Sequence, residues 1–587
     1  MCAGWYSVLL AGLVRLVAGQ EYDYVVVGSG PGGGTVAVDL AKAGFSTLLI
    51  EAGPDHSSEI TSIPAMHFSS SEDPNTSLDF TVHHYDKDDG GYFYPRAAAL
   101  GGCSVHNAMI TLYPNTRDFQ EMVNITGDRG WSEESMRKYL RRIEANQYVP
   151  RTAESEKIHG FDGWIPTSIT NLTRLGPPDL NMEKVVLKEY GDLKKDGNGY
   201  FHDKLSVDTD GTIFLPLAID KETYKRFDLG GYIKKHAAKG KLDIWTDTFV
   251  TKILFDKDLK AHGVEYFSGK YLYGASPRSS EKTRSAAKKG QVLVRKEVIV
   301  SGGSFNTPQL LMLSGIGNKT KLEELGIPVV KDLPGVGHNM MDRYEVPHVI
   351  KYPNTFHILK DCHYETKKTD ACYEQYIKNK TGPYIGNGVL SAELISTRPE
   401  LPEPDLLMLN VFAEFHSYHH NYSKELDNER GAFTRLACLG HTMNNGYVEL
   451  RSTDPFQPPF INFRYFSHDP DNLDTLVKIV KDQRTHFKSF PGEFTELYPG
   501  KDVQTDAEIR AYVKKLAWGH HACCTAKLGK NSDPMAVLDA KFRVRGVKNL
   551  RVVDASSLPV LPGYFPSLFL HMVASRAAEL IIEDASP

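Results

Sequence analysis

The chain has 587 residues, 41% hydrophobic and 24% charged, the composition of an ordinary globular protein with room for two large domains. Lys+Arg 68 against Asp+Glu 73 leaves a net charge of −5, which argues against a nucleic-acid partner; the one short basic run, Lys282 to Lys289, reads as a solvated loop. No Cys/His spacing points to a metal site.

Met1 to Gly19 reads as a secretory signal peptide. Leu9 to Val17 is mostly apolar, although Arg15 interrupts it, and Val17, Ala18 and Gly19 form a small-residue cleavage site before Gln20. Nothing else is long and apolar enough to span a bilayer, so a secreted protein with no membrane partner is expected. Asn75, Asn124, Asn171, Asn318, Asn379 and Asn421 begin N-x-S/T sequons and are candidate glycan sites.

The next stretch is the most informative. Tyr24 to Val27 reads as a buried strand, and Gly28, Gly30 and Gly33 form a G-x-G-x-x-G turn. An Ala/Val/Leu-rich helix follows, then a second strand, Thr47 to Ile50, ending at Glu51. Gly28 permits the tight turn, Gly30 lets the backbone approach a pyrophosphate, and Gly33 lets helix and strand pack closely. The helix N-terminus supplies amide donors for the phosphates. Glu51 is placed to accept hydrogen bonds from a ribose diol. A dinucleotide site follows; its chemical identity does not.

Downstream, Ser132 caps a helix with Met136, Tyr139, Leu140 and Ile143 at helical spacing, and residues 150–225 are irregular. Residues 241–266 read as strands joined by a polar turn at Asp256 to Lys260. Glu297 to Val300 is another buried strand, followed by a turn and a helix ending at a glycine. Residues 345 to 505 mix alternating strands with helices. Leu550 to Val553 and Ser567 to Ile582 return to the strand–turn–helix style of the N-terminus. The simplest arrangement is an α/β nucleotide-binding core split over both ends, with a second domain inserted. Cys362 and Cys372 are either a local disulfide or two free thiols; Cys523 and Cys524 are either redox-active or small packing residues.

Three segments, LGGCSVHNAMI from Leu100, GSFNTPQLLMLSGIG from Gly303, and the run from Trp518 to Ile582, follow the N-terminal unit in order. Together they resemble the glucose–methanol–choline family of FAD-dependent oxidoreductases over nearly the whole mature chain. The resemblance implies a Rossmann-like FAD-binding domain (residues 20–150, 226–344 and 540–587). It also implies a substrate-binding domain on an antiparallel sheet (residues 151–225 and 345–539), α+β overall. The cofactor is then FAD. Glu51 would hold the adenosine ribose and the Val250 backbone the adenine. Asp554 and Ala555 would lie near the pyrophosphate and ribityl chain, and Pro566 near the isoalloxazine. Gly101, Gly102, Ser104 and Asn107 would be further flavin contacts.

The family's H-x-x-x-T-x-x-x-G active-site segment is reproduced by His521, Thr525 and Gly529. His521 is the expected general base for oxidising an alcohol of a small organic substrate, with hydride passing to flavin N5. His520 is a second candidate catalytic residue, although one of two adjacent side chains is expected to point elsewhere. The second active-site position is usually His or Asn before a proline; here it is Phe565. Either His520 or Tyr564 takes the partner role, or one histidine works against an apolar wall, or the site has turned to lyase or cyclase chemistry with FAD as scaffold. His106 matches members resembling choline oxidase, in which a histidine here bonds to the flavin 8α-methyl; the alternative is packing against the ring. Oxygen or a quinone would be the electron acceptor.

Overall fold

The computed structural model describes residues 21–87, 90–176, 210–401, 403–426, 428, 430–440 and 442–586. The expected signal segment lies outside them. Tyr22–Val27 and Thr47–Ile50 pair in parallel, from Tyr24–Thr47 to Val27–Ile50. Both are almost wholly buried, as continuous apolar runs are in a parallel sheet covered on both faces. Leu242–Trp245 extends the sheet beyond Thr47–Ile50.

The long strand Lys288–Val300 joins two halves of this seven-stranded sheet. Its C-terminal part pairs in parallel with Tyr22–Val27 and with Leu550–Val552. Its N-terminal part pairs antiparallel with Ala261–Ser268, which pairs in turn with Thr248–Phe255. The strand expected at Glu297 therefore starts earlier, because the polar residues before it belong to the antiparallel half. Helix Pro31–Lys42 lies against the C-terminal helix Pro566–Ala585, where Thr35 Oγ1 and His571 Nδ1 are 2.9 Å apart. The two chain ends thus close on each other around the sheet.

A second sheet of six strands is antiparallel throughout. Its order is Thr495–Tyr498, Tyr344–Lys351, Ala432–Leu439, Leu406–Val411, Val389–Ile395, Gly211–Phe214. Leu406–Val411 and Ala432–Leu439 are buried on both faces, so the clean alternation expected of antiparallel strands is missing here. Leu406, Met408, Ala437 and Leu439 face Leu473, Leu476, Val477 and Val480 of helix Pro470–Phe487. Leu407, Leu409, Val411 and Leu436 face Trp518, Tyr564 and Phe565. One face holds a helix and the other supports the residues from the C-terminal segments. Each fully buried leucine or valine contributes about 1.5–3 kcal/mol relative to exposure.

Cys362 and Cys372 form a disulfide. Cys523 and Cys524 are bonded to each other and buried, so neither is a simple packing thiol. Among the described residues no helix is long and apolar enough to cross a membrane.

Candidate active site

One cavity of about 310 Å³ lies against the first sheet, and residues 418, 422, 520–522 and 565–567 close it on other sides. Gly28, Ser29, Gly30 and Glu51 line one end and His106, His520, His521, Phe565 and Pro566 the other; Val250 and Asp554 line it as well.

At the first end, Gly28 has φ +98°, and a Cβ there would sit 2.2 Å from the Ser301 carbonyl oxygen. Only glycine fits this turn. Gly102 has φ +55°, with its Cβ direction 2.6 Å from the Gly30 Cα, so the two glycine loops meet without side chains. Glu51 is buried, and its carboxylate accepts from Ser29 N (3.0 Å), Ser29 Oγ (2.6 Å) and Gly53 N (2.9 Å). Burial raises its pKa and these donors oppose the rise. Ser29 Oγ also accepts from Gly101 N at 3.0 Å, tying the glycine turn, the acid and the second glycine loop together.

The pairing between Thr248–Phe255 and Ala261–Ser268 shifts register between Lys252 and Val250, and Val250 lines the cavity. Asp554 Oδ2 accepts from Gly303 N (2.8 Å) and Thr307 Oγ1 (2.6 Å), and Oδ1 from Ser556 N (2.8 Å). Asp554 thereby fixes the start of helix Gly303–Leu313.

At the far end, Trp518 bridges to Glu345 and Cys523 to Met341, and the chain bends between these bridges. The bend brings His520 and His521 both to the cavity, with ring centroids 4.4 Å apart. The expectation that one ring points elsewhere is corrected, because this segment is not a regular strand. His521 N donates to Asp342 Oδ1 (2.8 Å), and Tyr94 OH donates to Asp342 Oδ2 (2.6 Å). Arg96 Nη2 donates to the His520 carbonyl (2.8 Å). Behind both rings is Glu345, whose Oε1 is 3.7 Å from His521 Nδ1 and whose Oε2 is 4.0 Å from His520 Nδ1.

The electrostatics keep both imidazoles neutral. Burial, then His520, Arg343 and Arg96, hold His521 well below the usual histidine range. Burial and Arg96 push His520 down to about 3. Burial, reinforced by Asp342, raises Glu345 well above the usual carboxylate range, which favours its neutral form. His106 is pushed down to about 3 by burial, Arg96 and Arg226, and its buried Nε2 has no hydrogen-bond partner among the described residues. Phe565 packs edge-on to His521, with centroids 5.2 Å apart. The C-terminal helix begins just beyond it, with Pro566 at its first turn on the cavity wall.

Two profiles of the GMC oxidoreductase family match the chain in order, over residues 203–345 and 442–574. A profile of the NAD(P)-binding Rossmann-like domain matches residues 26–94. The chain belongs to the GMC oxidoreductase family. Human mitochondrial choline dehydrogenase is 29% identical over 582 residues, covering 96% of this chain and 90% of that one. The glucose methanol choline oxidoreductase atC of Aspergillus terreus is 29% identical over 601 residues, covering 97% and 93%. Among solved structures, a formate oxidase superposes with a TM-score of 0.79 at 24% identity, over 96% of this chain and 99% of that chain. A fungal aryl-alcohol oxidase gives 0.75 at 21%, over 96% and 99%. These structures establish the shared fold. The chain is an FAD-dependent oxidoreductase of the class acting on CH–OH donors.

The cavity of this GMC oxidoreductase fits that cofactor. It has a side-chain-free cradle at Gly28, Gly30 and Gly102, a buried acid at Glu51, and an orphaned imidazole nitrogen at His106. Ser104, Asn107 and Ala555 also line it. Gly101 and Gly33 do not; Gly101 faces Leu229 and Gly230, and Gly33 packs under Ser301. Tyr564, one suggested partner for His521, gives its hydroxyl to the Pro404 carbonyl (2.8 Å) and does not line the cavity. Ser29, Tyr94, Arg96, Asp342 and Glu345 join the site without a sequence signal of their own. So does Arg226; its buried Nη1 donates to Ser104 O (3.2 Å), Asn107 O (2.6 Å) and Asn107 Oδ1 (2.8 Å), fixing the turn that carries His106.

Proposed function

We propose that this protein oxidises an alcohol group of a small organic molecule, with His521 as general base. The observation that carries the reading is the neutral, buried imidazole of His521 on the cavity wall, beside His520 and Phe565. A neutral imidazole accepts the hydroxyl proton as the C–H bond breaks. FAD, when bound, supplies the hydride acceptor. His521 is oriented through its backbone by Asp342, and its Nδ1 faces Glu345.

Residues at this end favour an apolar or aromatic alcohol. Phe565, Tyr418, Met109 and Ile110 line the wall, and a sugar would need more polar partners than they supply. His520 is the partner imidazole, stacked on Trp518 with centroids 5.4 Å apart and packed edge-on to Tyr418. Phe565 acts as pocket wall rather than as a hydrogen-bonding group.

His106 bonds covalently to FAD in this reading, which its unprotonated, unpartnered Nε2 supports. Oxygen or a quinone reoxidises the cofactor. The protein acts outside the cell, a reading supported by the apolar N-terminal segment and by the Cys362–Cys372 disulfide. Asn124, Asn171, Asn379 and Asn421 are exposed and available for glycans, whereas Asn75 Nδ2 donates to Asp73 Oδ1 on the cavity side. A screen of primary and secondary alcohols with oxygen and with a quinone as acceptors tests the reading. Turnover of an aromatic or aliphatic alcohol supports it, and turnover of sugars alone would overturn the substrate class.

A further inference from the structure

Outside the cavity, a second group of imidazoles sits on the loop between Leu406–Val411 and the short helix Tyr422–Glu425. Ligand-type atoms of His416, His419 and Glu425 all lie within 4.8 Å of one another. His419 Nε2 and Glu425 Oε2 are already 2.9 Å apart. His416 Nδ1 is buried without a hydrogen-bond partner among the described residues, with Glu414 Oε1 at 3.7 Å. The His416 ring is held flat against Tyr498, with centroids 4.5 Å apart at 14°. The side chains of His419 and Glu425 are 36% and 43% exposed, so an ion reaches them from solvent.

We infer that His416, His419 and Glu425 form a site for a divalent transition metal of the zinc class. Two imidazoles and one carboxylate are a zinc donor set, with a fourth position left for water. Ligand atoms around tetrahedral zinc stand about 3.3 Å apart, given bonds of roughly 2.0–2.1 Å. Closing from 4.8 Å takes rotation of side chains that are partly free. The position of the site gives the ion a task. Tyr418 lies between the two histidines in sequence, Tyr422 lies between His419 and Glu425, and both tyrosines line the active-site cavity. Tyr418 also packs edge-on to His520 (5.0 Å). A bound ion ties both ends of this loop and fixes the wall that the substrate meets.

The binding half of the inference stands apart from the proposed reaction; the wall-fixing half rests on it. Untagged holoenzyme, freed of metal with a chelator, is titrated calorimetrically with Zn²⁺. The same preparation loaded with Cu²⁺ is examined by electron paramagnetic resonance. One equivalent of Zn²⁺ is expected, with nitrogen hyperfine structure from two imidazoles. His416→Ala and Glu425→Gln should each weaken binding by about 100-fold or more. Equal binding by the wild type and both variants would overturn the site. So would loss of binding in Glu345→Gln instead, which would place the ion at Glu345, His520 and His521, the other described group of this type. Zinc should change the substrate KM several-fold in the wild type and leave it unchanged in Glu425→Gln. A KM unmoved by bound zinc would reject the wall-fixing half.

Discussion

Glu345 Oε1 lies 3.7 Å from His521 Nδ1, and neither atom has a hydrogen-bond partner among the described residues. Both groups are buried, and burial favours the neutral form of each. With Glu345 in its neutral form, a small shift would let the carboxyl donate to the imidazole and set its tautomer. Glu345→Gln keeps a neutral donor of the same shape, so it should retain most of the turnover. Glu345→Leu should lower kcat by about tenfold, the worth of one positioning hydrogen bond. Steady-state kinetics with matched FAD content decides; a Gln variant as slow as the Leu variant would show that the charge matters.

His521→Ala should cut kcat by about 10²–10⁴-fold while leaving FAD bound. The pH dependence has a definite sign. Burial lowers the His521 pKa below 6.5, so the proton-accepting neutral form dominates above that lowered value. The wild-type kcat/KM should therefore hold from pH 7 down past 6.5 and fall only in more acid solution. An acid limb centred above 6.5 would mean that His521 titrates as an exposed histidine, against its buried position.

Acid precipitation of the protein should carry the yellow colour into the pellet if His106 is joined to FAD. His106→Ala should release the flavin to the supernatant under the same treatment. Flavin left wholly in the wild-type supernatant would reduce His106 to a packing residue.

Phe565→Ala removes an aromatic wall worth about 2 kcal/mol of apolar burial, so KM for an apolar alcohol should rise by about tenfold or more. FAD content should not change, because the ring packs on His521 and not on the glycine cradle. A KM unaffected by the truncation would place the substrate elsewhere in the cavity.

The parts of this protein legible in its sequence are those whose logic is local. Gly28 to Glu51 carries strand, turn, helix and acid within one short stretch, and the structure places those elements as read. His521 and His106 were visible because each sits in a short segment with a recognisable pattern. Asp342 and Glu345 were not, because their partners, Tyr94 and His521, lie far away in the chain and meet them only in the folded protein. The same non-local pairing explains why both histidines at 520 and 521 reach the cavity. The bend depends on bridges to Met341 and Glu345, and no neighbouring residue announces it. Ser29 is the middle case: it stands inside the glycine motif at a position the motif leaves open, and only the structure shows its hydroxyl on Glu51.

The central claim is that an alcohol is oxidised at His521 with FAD as acceptor. Mixing the holoenzyme with a turned-over alcohol under anaerobic conditions tests it most directly. Bleaching of the flavin absorbance with one equivalent of aldehyde or ketone per flavin is expected, and loss of that bleaching in His521→Ala. Product formed while the flavin stays fully oxidised would contradict the account and favour lyase or cyclase chemistry on an FAD scaffold.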